Sequence, residues 1–247
     1  MQQYFSLNYE GSAFVLFGYA HLGTLLLIAF ICFLLLRYGN RIPKHLSPTL
    51  RYSLVSIYVV NEAFRHLWFL WYDKWDIIYM LPLDLCSIGG LIGVLMLIRP
   101  KQLGYEWLYF LGIAGALQAA LTPVLTNYGF PHALFIQFFI AHGFIFISAL
   151  YLTAVEGFRP YGNSLLHVFI MGNLYTLFVG GVNFVLGSNY LFIAHKPITP
   201  SALDLLPAWP WYILFMELVA IISVCLLYLP YLWRDRGFVF KPSAEKG

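Results

Sequence analysis

Charge is what this sequence has least of. Of its 247 residues, 10% are Asp, Glu, Lys or Arg and 61% are hydrophobic. A soluble domain carries about 25% charged residues, and so few polar groups cannot cover a globular surface in water. That excludes a soluble enzyme, and the net charge of +3 is too small to point to nucleic acid. Cysteine is scarce too. Cys32, Cys86 and Cys225 each sit in an apolar run, with no spacing of a zinc site or a disulfide framework. No metal and no other cofactor is expected. Long polar linkers are missing, so no second domain is separated, and no internal repeat is evident.

What the sequence has is long apolar runs. A helix needs about 20 mostly apolar residues to cross a bilayer. Seven runs qualify, at 13–36, 50–72, 75–98, 107–125, 132–153, 164–186 and 209–233. The first is too long for the core of a signal peptide and reads as a true span. The expected fold is therefore all-α, a polytopic membrane protein with seven transmembrane helices in a single domain over residues 1–247. None of the seven contains a lysine, which excludes a retinal Schiff base. Orientation follows from basic residues, which concentrate on the cytoplasmic side. Arg37, Arg41, Lys44, Arg51, Arg99, Lys101, Arg159, Arg234, Arg236, Lys241 and Lys246 share one side, against Lys74 and Lys196 on the other. This predicts the N-terminus outside and the C-terminus cytoplasmic.

Ionisable groups inside a span are costly and point to function. Glu62, Arg65 and His66 lie on the second run, Asp84 on the third, His142 on the fifth and Glu217 on the seventh; Gln118 and Asn173 add uncharged polarity. Counted from the outer ends at about 1.5 Å per residue, Cys86 and His142 both fall roughly 15 Å deep, with Glu62 and Glu217 near the same level. Glu62 is spaced i, i+3 from Arg65 and i, i+4 from His66, so the three can pair along one helix face and neutralise one another.

The stretch LPLDLCSIGG, residues 81–90, concentrates the unusual features. Pro82 lacks an N–H and clashes with the preceding turn, which predicts a kink or break just before Cys86. Gly89, Gly90 and Gly93 share the helix face of Cys86, leaving room for a second helix or for an acyl chain. Asp84 is predicted to face away from Cys86. A buried cysteine is ordinarily a packing residue, and Cys32 and Cys225 are read that way. The thiolate is the reactive form, so a cysteine in lipid needs a base beside it, and His142 is the histidine at matching depth. Asn173 is placed as a donor to a developing oxyanion.

The elements Leu81-Pro82-Leu83-Asp84-Leu85-Cys86, Gln137 and His142 in FIQFFIAHGF resemble the YwaF-type bacterial integral membrane proteins, relatives of the eukaryotic transmembrane protein 164. More remotely they are similar to the androgen-induced intramembrane lipid hydrolases. The resemblance implies a lipid acyltransferase of the bacterial cytoplasmic membrane, with Cys86 as nucleophile and His142 as base. It would take phospholipids and lysophospholipids as substrates, and admission of water would give hydrolysis instead. The competing expectation is a small seven-span transporter or receptor, in which Glu62, Arg65, Asp84 and Glu217 form an ion or ligand path.

Overall fold

Pattern and punctuation set the elements. In a computed structural model that describes residues 2–197 and 202–234, every regular element is helical, and no strand occurs among the described residues. The basic residues Arg236, Lys241 and Lys246 and the side chain of Arg234 lie outside the described set. Helix α1 spans Tyr19–Tyr38 and α2 spans Ser47–Trp71. The latter opens on a proline in its first turn, where the missing N–H costs nothing. Then come α3 (Ile77–Met80), α4 (Leu85–Ile98) and α5 (Gln102–Trp107). A π-helical turn at Leu108–Gly112 carries α5 into α6 (Ile113–Leu121). Three long helices complete the chain: α7 (Ala133–Ala154), α8 (Ser164–Leu186) and α9 (Trp211–Arg234). Helix α8 stops at Gly187, whose φ of 66° is the left-handed cap that glycine adopts without strain.

Among the described residues, four helical segments are long and apolar enough to cross a membrane: Tyr19–Arg41, Ala133–Ala154, Ser164–Leu186 and Trp211–Leu232. The 25-residue α2 has the length but carries a polar face with Asn61, Glu62 and Arg65. Two expected spans differ in build. The run at 75–98 is not one helix: it stops at Met80 and restarts at Leu85. The run at 107–125 begins earlier, at Gln102, and ends at Leu121.

Helix α7 is the axis of the bundle. Of its most apolar window 56% is buried, against 6% for α1, 11% for α8 and 17% for α9. Around it pack α1, α2, α4 and α6. The glycines of α4 make the close approaches. A Cβ on Gly93 would lie 2.9 Å from Phe144 and from Ser148 of α7, and one on Gly89 would meet Gly112 at 3.4 Å and Ile145 at 3.7 Å. At Gly90 a Cβ would lie 2.0 Å from Tyr58 Oη of α2, whose ring stacks on Phe144 at 4.4 Å between centroids. So these three glycines seat neighbouring helices, and the space they leave is filled by protein. A second buried group closes the far end of the bundle. Glu106 is 1% exposed and accepts from Ser164 Oγ at 2.6 Å and Gln102 Nε2 at 2.9 Å, and His167 Nδ1 lies 3.0 Å from its second oxygen.

Gly90→Val is expected to lower the thermal midpoint of the detergent-solubilised protein, since overpacking costs about 1–3 kcal/mol. Tyr58→Ala in the same chain should restore part of the loss. A midpoint unmoved by Gly90→Val would contradict this packing.

Candidate functional site

The site begins with the break before α4. Pro82 cannot continue a helix, and residues 81–84 run irregularly between α3 and α4. A break exposes backbone groups, and in apolar surroundings these need partners. Two tyrosines provide them. Tyr190 Oη donates to the Ile77 carbonyl and accepts from Leu81 N at 2.9 Å, and Tyr175 Oη of α8 donates to the Leu83 carbonyl at 2.8 Å. Tyr190 is itself held by Asn183, which donates to its carbonyl and accepts from its N–H, both at 2.9 Å. Asp84 occupies the N-cap position, yet its side chain does not cap its own helix. It accepts instead from Leu191 N at 3.0 Å. Leu191 and Phe192 have φ of 60° and 53°, a left-handed backbone that side chains with a Cβ adopt only when held. Asp84 is thus a latch to the loop after α8, and its expected position on a helix face turned from Cys86 is corrected.

Cys86 is therefore the second residue of a helix. The N–H groups of a first turn have no carbonyl four residues back within the helix, and here no side chain caps them. Helices α4 and α7 run parallel in a fixed register: Gly93 meets Ser148, and one turn earlier Gly89 meets Ile145. One further turn back along each helix lie Cys86 and His142. On the other flank, a Cβ at Gly115 of α6 would meet Leu85 Cβ at 3.1 Å and lie 3.6 Å from Cys86 Sγ, so Gly115 lets α6 approach the start of α4 closely. His142 Nδ1 lies 2.7 Å from the Phe138 carbonyl. A carbonyl only accepts, so Nδ1 carries a proton, and the neutral tautomer with that bond has its lone pair on Nε2. The Phe138 ring, 4.0 Å from the imidazole between centroids, fixes it further.

Cys86 and His142 both line a cavity of about 940 Å³. Ligand pockets run from ~300 to ~1,000 Å³, so this one is sized for a large ligand. Asp84, Glu62, Arg65, Asn173, Glu217 and Gln118 line it as well. His66 does not: it lies 3.4 Å from Glu62 and accepts from Trp75 Nε1 at 2.9 Å. Arg65 donates to Glu62 through Nε at 2.9 Å and through Nη2, the pairing that the i, i+3 spacing anticipates. Asn173 Nδ2 donates to the Phe169 carbonyl at 3.0 Å and to Glu217 Oε1 at 3.1 Å. Both of its hydrogens are engaged, so the expected oxyanion donation by Asn173 is corrected. The first-turn N–H groups of α4 are the donors at hand. No group of three or more His, Cys, Asp or Glu arranged to hold a metal occurs among the described residues.

Tyr175, Tyr190 and Asn183 were not singled out from the sequence. Tyrosine is common here, with 18 in the chain, and nothing local distinguishes one that anchors a helix break 92 residues earlier.

Among the described residues every regular element is helical, four helical segments reach membrane length, and a thiol, an imidazole and paired charges line one cavity; this is an integral membrane protein built as a polytopic bundle. Residues 16–228 match the model of the TMEM164 family, and the chain belongs to that family. No curated protein and no solved structure matches it.

Asp84→Ala is expected to speed amide hydrogen exchange in residues 189–193 by about 5–30-fold, as loss of ~1–2 kcal/mol implies. Asp84→Asn keeps an accepting oxygen and should stay close to the parent. Equal exchange in all three proteins would rule out the latch.

Proposed function

We propose that the chain is an intramembrane lipid acyltransferase that carries an acyl group as a thioester on Cys86, with His142 as its base. One observation supports this most: Cys86 and His142 line the same large cavity. In this reading the chain is a single seven-span domain. Its crossings are α1, α2, the broken α3–α4 pair, the α5–α6 run, α7, α8 and α9, with the N-terminus outside and the C-terminus cytoplasmic. It is a YwaF-type protein of a bacterial cytoplasmic membrane.

The chemistry runs in two halves. His142 Nε2 takes the proton of the Cys86 thiol, and the thiolate attacks the ester carbonyl of a phospholipid. The first-turn N–H groups of α4 donate to the oxyanion that forms, at the helix end where a negative charge is favoured. The tetrahedral intermediate collapses, the C–O bond breaks, and the lysolipid alkoxide leaves with the proton from His142. A lysophospholipid hydroxyl then gives its proton to His142 and attacks the thioester. The C–S bond breaks and the Cys86 thiolate is reprotonated. Water in place of the second lipid would complete a hydrolysis, which apolar walls disfavour.

The ion-path reading draws on Glu62, Arg65, Asp84 and Glu217 lining the same cavity. Each carboxylate already holds a protein donor: Arg65 for Glu62, Leu191 N for Asp84, Asn173 for Glu217. That fits fixed structural charges better than sites for a passing ion. Transport would be lost in Glu217→Gln and kept in Cys86→Ser.

The purified protein, incubated with mixed phospholipids and weighed intact, is expected to gain one acyl mass that hydroxylamine removes. Cys86→Ser should gain none, and His142→Ala should gain it about 10²–10⁴-fold more slowly. No adduct from donors spanning the common headgroups and chain lengths would make Cys86 a packing residue.

A further inference from the structure

The cavity has two unlike halves. Helices α8 and α9 are antiparallel and are tied at Asn173–Glu217. Tyr175, two residues on, bonds to the Leu83 carbonyl two residues before α4, so this tie lies near the level at which α4 begins. On one side of that level the cavity reaches the loop at Leu191 and Phe192. On the other side its lining is apolar: Leu165 and Val168 of α8, Val224 of α9, and Leu111 and Ile145, which pack in one core cluster behind it. No charged or amide side chain lines this second half. From Asn173 to Leu165 is eight helical residues, about 12 Å. There the bundle closes: Ser164 is buried against Glu106, and Tyr109 Oη donates to the Leu227 carbonyl at 3.2 Å. The flank between α8 and α9 is open, since Leu166 and Phe169 line the cavity yet are 59% and 48% exposed.

We propose that this half is a groove for a single acyl chain, which enters sideways from the bilayer between α8 and α9 and lies with its methyl end against Leu165 and Val224. That its carboxyl end points to Cys86 rests on the acyl-transfer reading. An acyl chain leaving lipid for an apolar groove gains no hydrophobic free energy, because it exchanges one apolar surrounding for another. The groove therefore selects by shape. Its closed end sets chain length, and Val168 and Val224 are the specificity-determining residues.

The test uses full-length Cys86→Ser protein in nanodiscs with a phosphatidylcholine bearing a photoactivatable diazirine. One probe carries it at the methyl end of an acyl chain, the other beside the carbonyl. The methyl-end probe is expected to label residues 165–169 and 224–225, and the carbonyl-side probe residues 85–87 or 138–142. Val224→Trp should cut methyl-end labelling of 165–169 by at least tenfold. With Cys86 restored, it should also shift any Cys86 adduct toward shorter chains. Methyl-end labelling spread over the outer faces of α1 and α8, without enrichment at 165–169, overturns the groove even if Cys86 is acylated. Enrichment at 165–169 without any Cys86 adduct upholds the groove as a lipid site and sinks the acyl-transfer reading.

Discussion

Backbone polar groups released inside an apolar bundle must find partners within the protein, and the break at residues 81–84 is where this chain meets that demand. An unsatisfied group in such surroundings costs several kcal/mol. Tyr175, Tyr190 and the Asp84–Leu191 bond answer it from α8 and the loop that follows. The consequences spread outward. Because the break is held, α4 can start at Leu85, and because α4 starts there, Cys86 sits in a first turn that no side chain caps. Without the break Cys86 would be one more thiol in mid-helix, with every nearby N–H bonded.

The far end of α4 is held as firmly. Arg51 donates to the Leu97 carbonyl and, at 3.0 Å, to the Ile98 carbonyl, and its guanidinium lies 3.7 Å from Glu156. A cation at a helix C-terminus complements the dipole whose positive end lies at Cys86. Between these ends, Gly89, Gly90 and Gly93 draw α4 against α2, α7 and the π-helical turn. One short helix thus has its height, its register and both its termini fixed by neighbours. A reactive group needs that precision from its scaffold.

Much of this was legible in the residues, and the limits are physical. Pro82 announces a break because a missing N–H and a ring clash act locally. The Glu62–Arg65–His66 grouping follows from helical spacing alone. Counting depth along helices put Cys86 and His142 level, although the count for Cys86 assumed an unbroken helix; what the structure adds is that both line one cavity. What local pattern could not carry was partner choice. Gly90 reads equally as room for lipid or for a helix until Tyr58 is found against it. Asp84 reads as a helix-face residue until the break makes it an N-cap whose carboxylate turns to Leu191. Asn173 lies at the right depth to donate to an oxyanion, but Glu217 and the Phe169 carbonyl already take both of its hydrogens. Glu106 sits at a run boundary, where a charge looks solvated, and only packing makes it one of the most buried side chains.

The central claim is that the scaffold makes Cys86 a nucleophile, and relative thiol reactivity tests it most directly. Cys225 is exposed, while Cys32 and Cys86 are half-buried. Inert thiols would react in order of exposure, so Cys225 would lead. Alkylation by a limiting amount of a lipid-soluble maleimide, read site by site by peptide mass mapping, should instead find Cys86 modified first, with that lead abolished in His142→Ala. Cys225 leading in both proteins, with Cys86 unchanged by loss of the imidazole, would contradict the account.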